Sequence, residues 1–482
     1  MLILVLLGIN LLAAAVLAVI GEKRYAPEVN ILGSAATFVA SVFLAADVYY
    51  NGRMISGREY FFVDEFNVYL AVLTAFVSMT TAVFSRPYMR HEQERGRLGK
   101  VAMRFYHAMF QLFIFAMLMA LLTNNVGILW ISMELATLST VLLVSLYRTP
   151  SSVEAAWKYF ILCGVGIALA LFGTVLLYFA AEKVLGEGSK ALQWTNLAAV
   201  SGSLEPTVLS LAFVFFMVGY GTKVGLVPLH NWLPDAHAEG PTPISAVLSG
   251  LLLNIALYAL VRCKTLVDGA THGNRAGQIM MAFGLVSLLV SAFSLLRQKD
   301  IKRMFSYSSI EHMGIATYAF GLGGSVATFG ALLHMLVHSL TKSAIFFTVG
   351  HASQMHGTQE ISRIRGLIKG NPLVGWGLML GVAAIIGLPP FGLFTSEFLI
   401  LTATMKSAPL LAPFFLLGLA IAFAALLRKV MPMVFGAVPD YQHNQRVSHT
   451  PVILHMILVL VLGLYLPVFL SQWLHGAVRL LR

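Results

Sequence analysis

Runs of about 20 apolar residues recur along the whole chain, and they decide its fold class before any motif is read. In a bilayer core every backbone amide and carbonyl must find a partner within the protein, so such a chain crosses as helices. About fourteen runs can be drawn, at roughly 2–20, 30–48, 66–84, 106–122, 124–147, 155–181, 207–229, 242–262, 276–296, 300–320, 326–354, 373–404, 410–431 and 450–474. Only 11% of the residues are charged and 58% are hydrophobic, against about 25% charged in soluble domains. The sequence predicts an all-α integral membrane protein with about 14 transmembrane helices.

The net charge of +11 would suit nucleic acid, but its placement follows the loops. Sorted by alternating loops, 20 of the 32 Lys and Arg fall on one side, including Lys23, Arg24, Arg86, Arg90, Lys302, Arg303 and Arg446. Ten fall on the other, including Arg53, Lys183, Arg262 and Arg482, and the remaining two, Lys223 and Lys342, fall within apolar runs. The positive-inside rule then predicts a multi-pass protein of the inner (cytoplasmic) membrane, with both termini on the outer side and no nucleic-acid partner. The first run lacks a basic leader and reads as a retained helix. The polar stretch 85–105 reads as a solvated cytoplasmic loop or short surface helix, or as a docking surface for a soluble partner.

Cys163 and Cys263 are too few for an iron–sulfur cluster, which usually takes four thiolates. No Gly-rich nucleotide motif follows a predicted strand. No cofactor is expected, and any redox chemistry belongs to partners.

The chain divides into an N-terminal unit 1–105 of three helices and a basic loop, 106–262 (runs four to eight), 276–431 (runs nine to thirteen) and 432–482. Run seven carries Lys223 and meets Pro228, which should interrupt its helix because proline has no amide hydrogen to give. Run twelve breaks at Gly387-Leu388-Pro389-Pro390 and then carries Glu397. The two lie five runs apart, an odd number, so the two five-helix sets would be inverted repeats with discontinuous helices 7 and 12. Paired interrupted helices of this kind point to a midplane ion site.

Glu134 sits about ten residues into run five, some 15 Å deep at 1.5 Å per residue. Burial favours the neutral form of a carboxyl or an amine, and an opposite charge nearby favours the ionised form. A Glu134–Lys223 pair that can be made and broken would thus take up and release a proton. Moving one charge against about 150 mV takes about 3.5 kcal/mol, which a swing of about 2.5 pKa units supplies. A static buried ion pair is the other reading. His334, His338 and Lys342 recur at i, i+4, i+8 and share one helix face, which suits a proton relay or plain packing. Two such His suit zinc, but no third ligand is apparent on that helix, so no metal is expected.

Glu397 is the only acid of run twelve and reads as an exit-side carboxylate or a structural one. Asn254, the polar centre of run eight, suits a bound water, a neighbouring carbonyl or packing. Glu311 and His312 lie about ten residues past the basic QKDIKR cluster, at membrane depth. His230, Asp235, His237 and Glu239 crowd into 228–243, where helix caps and a proton-uptake or coupling role fit equally well.

Taken together these motifs resemble the antiporter-like subunits shared by respiratory complex I, Mrp-type cation/proton antiporters and membrane-bound energy-converting hydrogenases. The resemblance rests on Glu134, the TKVGLVPLHNWLPDAHAEGPTP stretch from Thr222, QKDIKRMFSYSSIEHMG from Gln298, the His334/His338/Lys342 helix and the GLPPFGLFTSEF turn, and it covers roughly 60–435. It implies the fourteen-helix inverted-repeat fold. It also implies a proton path of alternating Glu, Lys and His with Glu134–Lys223 as gating pair, other membrane subunits as partners, and a soluble hydrogenase or dehydrogenase arm. Within the family, SSIEHMG and LLLNIALYALVR look most like component F of hydrogenase-4 and formate hydrogenlyase-type complexes. A Na⁺(K⁺)/H⁺ antiporter subunit of Mrp type and a complex I subunit are the alternatives. Asn254 stands where complex I members often have Lys, so the resemblance carries no central lysine to that position. Water on Asn254, or Glu311, would substitute. With the sequence ending at Arg482 after run fourteen, the long lateral helix of the distal complex I subunit is not expected.

Overall fold

Prolines and short polar side chains open most of the helices. In the computed structural model, which describes residues 2–437 and 448–481, proline occupies the first or second position of seven of the long helices. There its missing N–H is no loss. Asn125, Thr149, Glu205, Asp300 and Asn371 each accept a backbone N–H of the turn that follows, and Asp64 with Asn67 forms a capping box. These side chains satisfy amides that no helical carbonyl reaches. Residues 438–447, which include Arg446, lie outside the described residues, as do Met1 and Arg482.

The first five long helices are α1 (Leu2–Ile20), α2 (Ala26–Asn51), α3 (Glu65–Glu94), α4 (Lys100–Leu122) and α5 (Val126–Val144). A short hairpin, β1 (Met54–Ser56) against β2 (Phe61–Val63), joins α2 to α3. Then come α6 (Pro150–Leu185), α7 (Pro206–Val224), the short α8 (Trp232–Glu239), α9 (Thr242–Thr271), α10 (Arg275–Leu295), α11 (Ile301–Leu322) and α12 (Gly324–His356). The last are α13 (Pro372–Ile385), α14 (Gly392–Ser407), α15 (Ala412–Phe435), α16 (Thr450–Leu464) and α17 (Val468–Leu480). The expected loop at 85–105 shrinks to 95–99, because α3 continues through Pro87 to Glu94 and α4 starts at Lys100. A polar helix end standing clear of the hydrocarbon reads like a loop in hydropathy alone.

Among the described residues eleven helices are long and apolar enough to cross a membrane, or twelve with the α16–α17 pair, which bends by 79°. Beyond these stand α11, which carries Lys302, Arg303, Glu311 and His312, and the broken α13–α14 stretch. The centre of the protein is α9 and α12, whose most apolar stretches are 100% and 94% buried, whereas those of α1 and α2 are only 39% and 33% buried. Outer helices present Leu4, Leu12, Leu32 and Phe179 outward, as lipid-facing surfaces require. The two central helices carry His334, His338, Lys342 and Asn254, so the polar residues sit where lipid cannot reach them.

Candidate functional site

Both expected breaks exist, but glycine rather than proline ends each helix. Gly225, at φ 82°, donates to the Thr222 carbonyl at 3.1 Å while Leu226 donates to Gly221 at 2.9 Å. Gly387, at φ 69°, donates to Ala384 at 3.2 Å while Leu388 donates to Ala383 at 3.1 Å. This is the same Schellman closure twice, with a left-handed residue that only glycine adopts freely. Pro228 and Pro389 come after the stop and keep the chain from resuming the helix at once.

The first break places Lys223 in the last turn of α7, where helix carbonyls favour a cation. Its ammonium is fully buried, hydrogen-bonds the Thr137 hydroxyl and lies 5.8 Å from the centre of the Tyr159 ring. Tyr159 stacks on Trp232 at 4.4 Å, and the Trp232 indole donates to the Thr222 carbonyl at 2.8 Å. The unwound segment is therefore held against α6. Glu134, one turn before Thr137 on α5, is half-buried, and its Oε2 has no hydrogen-bond partner. No direct ion pair joins Glu134 to Lys223 among the described residues; the two interact electrostatically, and Thr137 is the side chain that touches the ammonium.

A second group gathers α11, α12 and α14. His312 Nδ1 is 3.2 Å from His334 Nε2 and 3.8 Å from Glu397 Oε1. His334 Nδ1 is 2.9 Å from the Ser396 hydroxyl. The His338 ring stands 5.5 Å from that of His312 and has no hydrogen bond at either nitrogen. Lys342 donates to the Phe305 carbonyl at 2.9 Å. Glu311 interacts electrostatically with both Lys342 and Glu397, and its Oε2 is buried without a partner. Six ionisable side chains thus share one buried region, where unpaired charge is costly.

The structure also places the remaining candidates. Asn254 follows a π turn, Leu248–Leu252, in α9. Its amide donates to the Gly250 carbonyl at 3.2 Å, to Met335 of α12 at 3.1 Å and to the Ser339 hydroxyl at 2.7 Å. It ties the irregular turn to the histidine helix, and π turns recur at functional sites. His237 is fully buried, stacks on Phe346 at 5.0 Å and faces Lys342 and Lys302 electrostatically. It therefore borders the second group. His230 packs near Tyr307 at 6.1 Å and joins neither group. Asp235 pairs with Lys158 at 3.2 Å and Arg303 at 2.8 Å, clamping α8 to α6 and α11.

Several residues escape the sequence reading. Lys302, sorted with the loop cations, is buried and donates to the carbonyls of Ala238 and Gly240 at 3.3 and 2.8 Å, closing the end of α8. Arg262 is likewise buried: it pairs with Asp64 at 2.5 Å and lies 4.4 Å from the Trp194 ring. Gly387 has a second duty, since a Cβ there would sit 2.2 Å from Glu397 Oε2. Thr137 and Ser396 are hydrogen-bonding neighbours that only the folded arrangement reveals. A different cluster, drawn from three helices and leaving His338 out, forms around one of the two histidines. The ligand atoms of His312, His334 and Glu397 lie within 4.8 Å of one another, close enough to hold a metal ion.

Comparison with known proteins agrees with this architecture. The chain is 49% identical over 466 residues to the hydrogenase-4 component F homolog of Methylacidiphilum infernorum, covering 97% of each. It is 26% identical to a Na(+)/H(+) antiporter subunit of Alkalihalophilus pseudofirmus, over 84% of this chain and 80% of that one. Its fold matches a subunit of the membrane-bound sulfane sulfur reductase, an archaeal respiratory membrane complex. That match has TM-score 0.90 and 23% identity, over 99% of this chain and 97% of the other. Residues 123–424 match the family described as NADH:quinone oxidoreductase/Mrp antiporter, TM. With more than half of its length inside that match, and both broken helices and both buried groups within it, the chain belongs to this family.

Proposed function

We propose that this chain is a proton-translocating subunit of a redox-driven membrane complex of the group 4 energy-converting hydrogenase type. The proton moves along a buried line of Glu134, Lys223, His237, Glu311, Lys342, His338, His312, His334 and Glu397. The observation that carries the reading is that this line runs through α12, one of the two most buried helices, while several members lack a fixed partner. Glu134 Oε2, Glu311 Oε2, Glu397 Oε1 and both nitrogens of His237 and His338 have no hydrogen bond from the protein. A static ion-pair network would satisfy these atoms; in folded proteins such groups are met by ordered water. Water bridging them gives the proton a continuous set of donors and acceptors.

Fourteen crossings follow when α11, the broken α13–α14 span and the bent α16–α17 pair join the eleven apolar spans. The two halves, 106–262 and 276–431, each contribute one broken helix closed by the same glycine motif. That repetition supports an inverted-repeat arrangement, between the N-terminal unit 1–105 and the last stretch, 432–482. The similarity to a hydrogenase-4 component F homolog supports a hydrogenase-type assembly, with other membrane subunits as neighbours and a soluble arm carrying the redox chemistry; the asymmetry of the loop charges supports the inner membrane with both termini outside.

The test is to purify the native complex, identify its co-purifying subunits and follow redox-driven proton uptake in vesicles with Lys223→Ala and Lys342→Ala. The account expects hydrogenase subunits, retained assembly and lost uptake. Undiminished uptake in either variant would contradict the path, and small Mrp-like cation subunits in place of a hydrogenase would contradict the assembly.

A further inference from the structure

His312 on α11, His334 on α12 and Glu397 on α14 bring two imidazoles and a carboxylate to one buried point from three separate helices. Bonds of about 2.0–2.1 Å in a tetrahedral zinc site put neighbouring ligand atoms about 3.3 Å apart. His312 Nδ1 and His334 Nε2 already stand at 3.2 Å, and Glu397 Oε1 is 3.8 Å from the former. A small movement of one carboxylate would complete a three-ligand face.

The hydrogen bonds orient the ligands as well. The Ser396 hydroxyl gives its proton to the Leu393 carbonyl at 2.9 Å, so toward His334 it acts as acceptor. Neutral His334 therefore carries its hydrogen on Nδ1 and aims the bare Nε2 lone pair at the point the other ligands share. Outer hydrogen bonds of this kind fix the tautomer of metal-binding histidines. Glu397 Oε1, on a residue only 7% exposed, faces the same point without a hydrogen bond. Glu311 interacts electrostatically with Glu397, so a divalent cation would meet two carboxylates that balance its charge.

We infer that His312, His334 and Glu397 form a Zn²⁺ site, with a fourth position open to water, and that Zn²⁺ bound there blocks proton movement. The ligand set and spacing suit zinc among the divalent ions. The metal would occupy the lone pairs that the proton line uses, so the block rests on the proposed path, whereas the site itself does not.

The intact complex, purified in detergent, is titrated with Zn²⁺ alone. Bound metal is counted by equilibrium dialysis, beside complexes carrying His334→Ala, the isosteric Glu397→Gln, or Ser396→Ala. Wild type should hold one more tightly bound Zn²⁺ than either ligand variant, and Ser396→Ala should bind roughly 10–100-fold more weakly. Equal stoichiometry and affinity in wild type and both ligand variants would overturn the site. In vesicles, Zn²⁺ should stop uptake by the wild-type complex; full occupancy with unimpaired uptake would overturn the block. A failure of the path reads differently: Glu397→Gln would then transport normally while still losing its Zn²⁺.

Discussion

Replacing Gly387 with alanine perturbs the Glu397 carboxylate without substituting any ionisable residue. The position has φ 69°, so any L side chain there carries a left-handed backbone penalty of about 1–2 kcal/mol. The added Cβ would lie 2.2 Å from Glu397 Oε2. An ordinary contact begins near 3.4 Å, so the carboxylate must retreat by about 1.2 Å, away from its place beside His312. Misplacing a reacting group by about 1 Å costs on the order of 100-fold in rate. The assay is redox-driven acidification of proteoliposomes holding the intact complex, with thermal denaturation of the same preparation. Gly387→Ala should lower the melting temperature and cut proton uptake by about 10–100-fold. Gly387→Asn separates the two effects, because asparagine tolerates the left-handed region yet still brings a Cβ. It should regain stability and not transport. Wild-type transport in Gly387→Ala, or full recovery in Gly387→Asn, would refute the reasoning.

Asn254→Ala should destabilise the complex by about 1–3 kcal/mol, since the Met335 carbonyl of α12 and the Ser339 hydroxyl lose their amide donor. An unchanged melting temperature would show that the π turn needs no such tie. Arg262→Met should cost about 3–5 kcal/mol because it strands the buried Asp64 carboxylate. Adding Asp64→Asn should restore part of that loss, and no restoration would mean that packing against Trp194, rather than charge, holds the site.

The helical membrane fold was legible because hydrocarbon demands runs of apolar residues, and α1, α2 and α4 to α7 begin and end close to those runs, while α3 carries on past its run to Glu94. The breaks in runs seven and twelve were visible through their prolines, yet the stops lie at Gly225 and Gly387, where the backbone turns left-handed. Charge near the end of an apolar run looks the same whether it is solvated or buried, which hid Lys302 and Arg262. Their partners, the carbonyls of Ala238 and Gly240 and the carboxylate of Asp64, are distant in sequence. Helical spacing aligned His334, His338 and Lys342 because that argument works within one helix. It could not bring His312 or Glu397 to them, since α11 and α14 join α12 only through packing. The same limit applies to Thr137: it lies on the helix of Glu134, but its ligand Lys223 comes from α7.

The most direct measurement of the central claim is proton uptake by the assembled complex carrying Glu134→Gln. The substitution keeps shape and hydrogen-bonding capacity but cannot release a proton, and it leaves the contact of Lys223 with Thr137 in place. The account predicts a complex of normal composition and stability whose redox-driven uptake is abolished. Uptake at the wild-type rate would contradict a proton path through this line of buried residues.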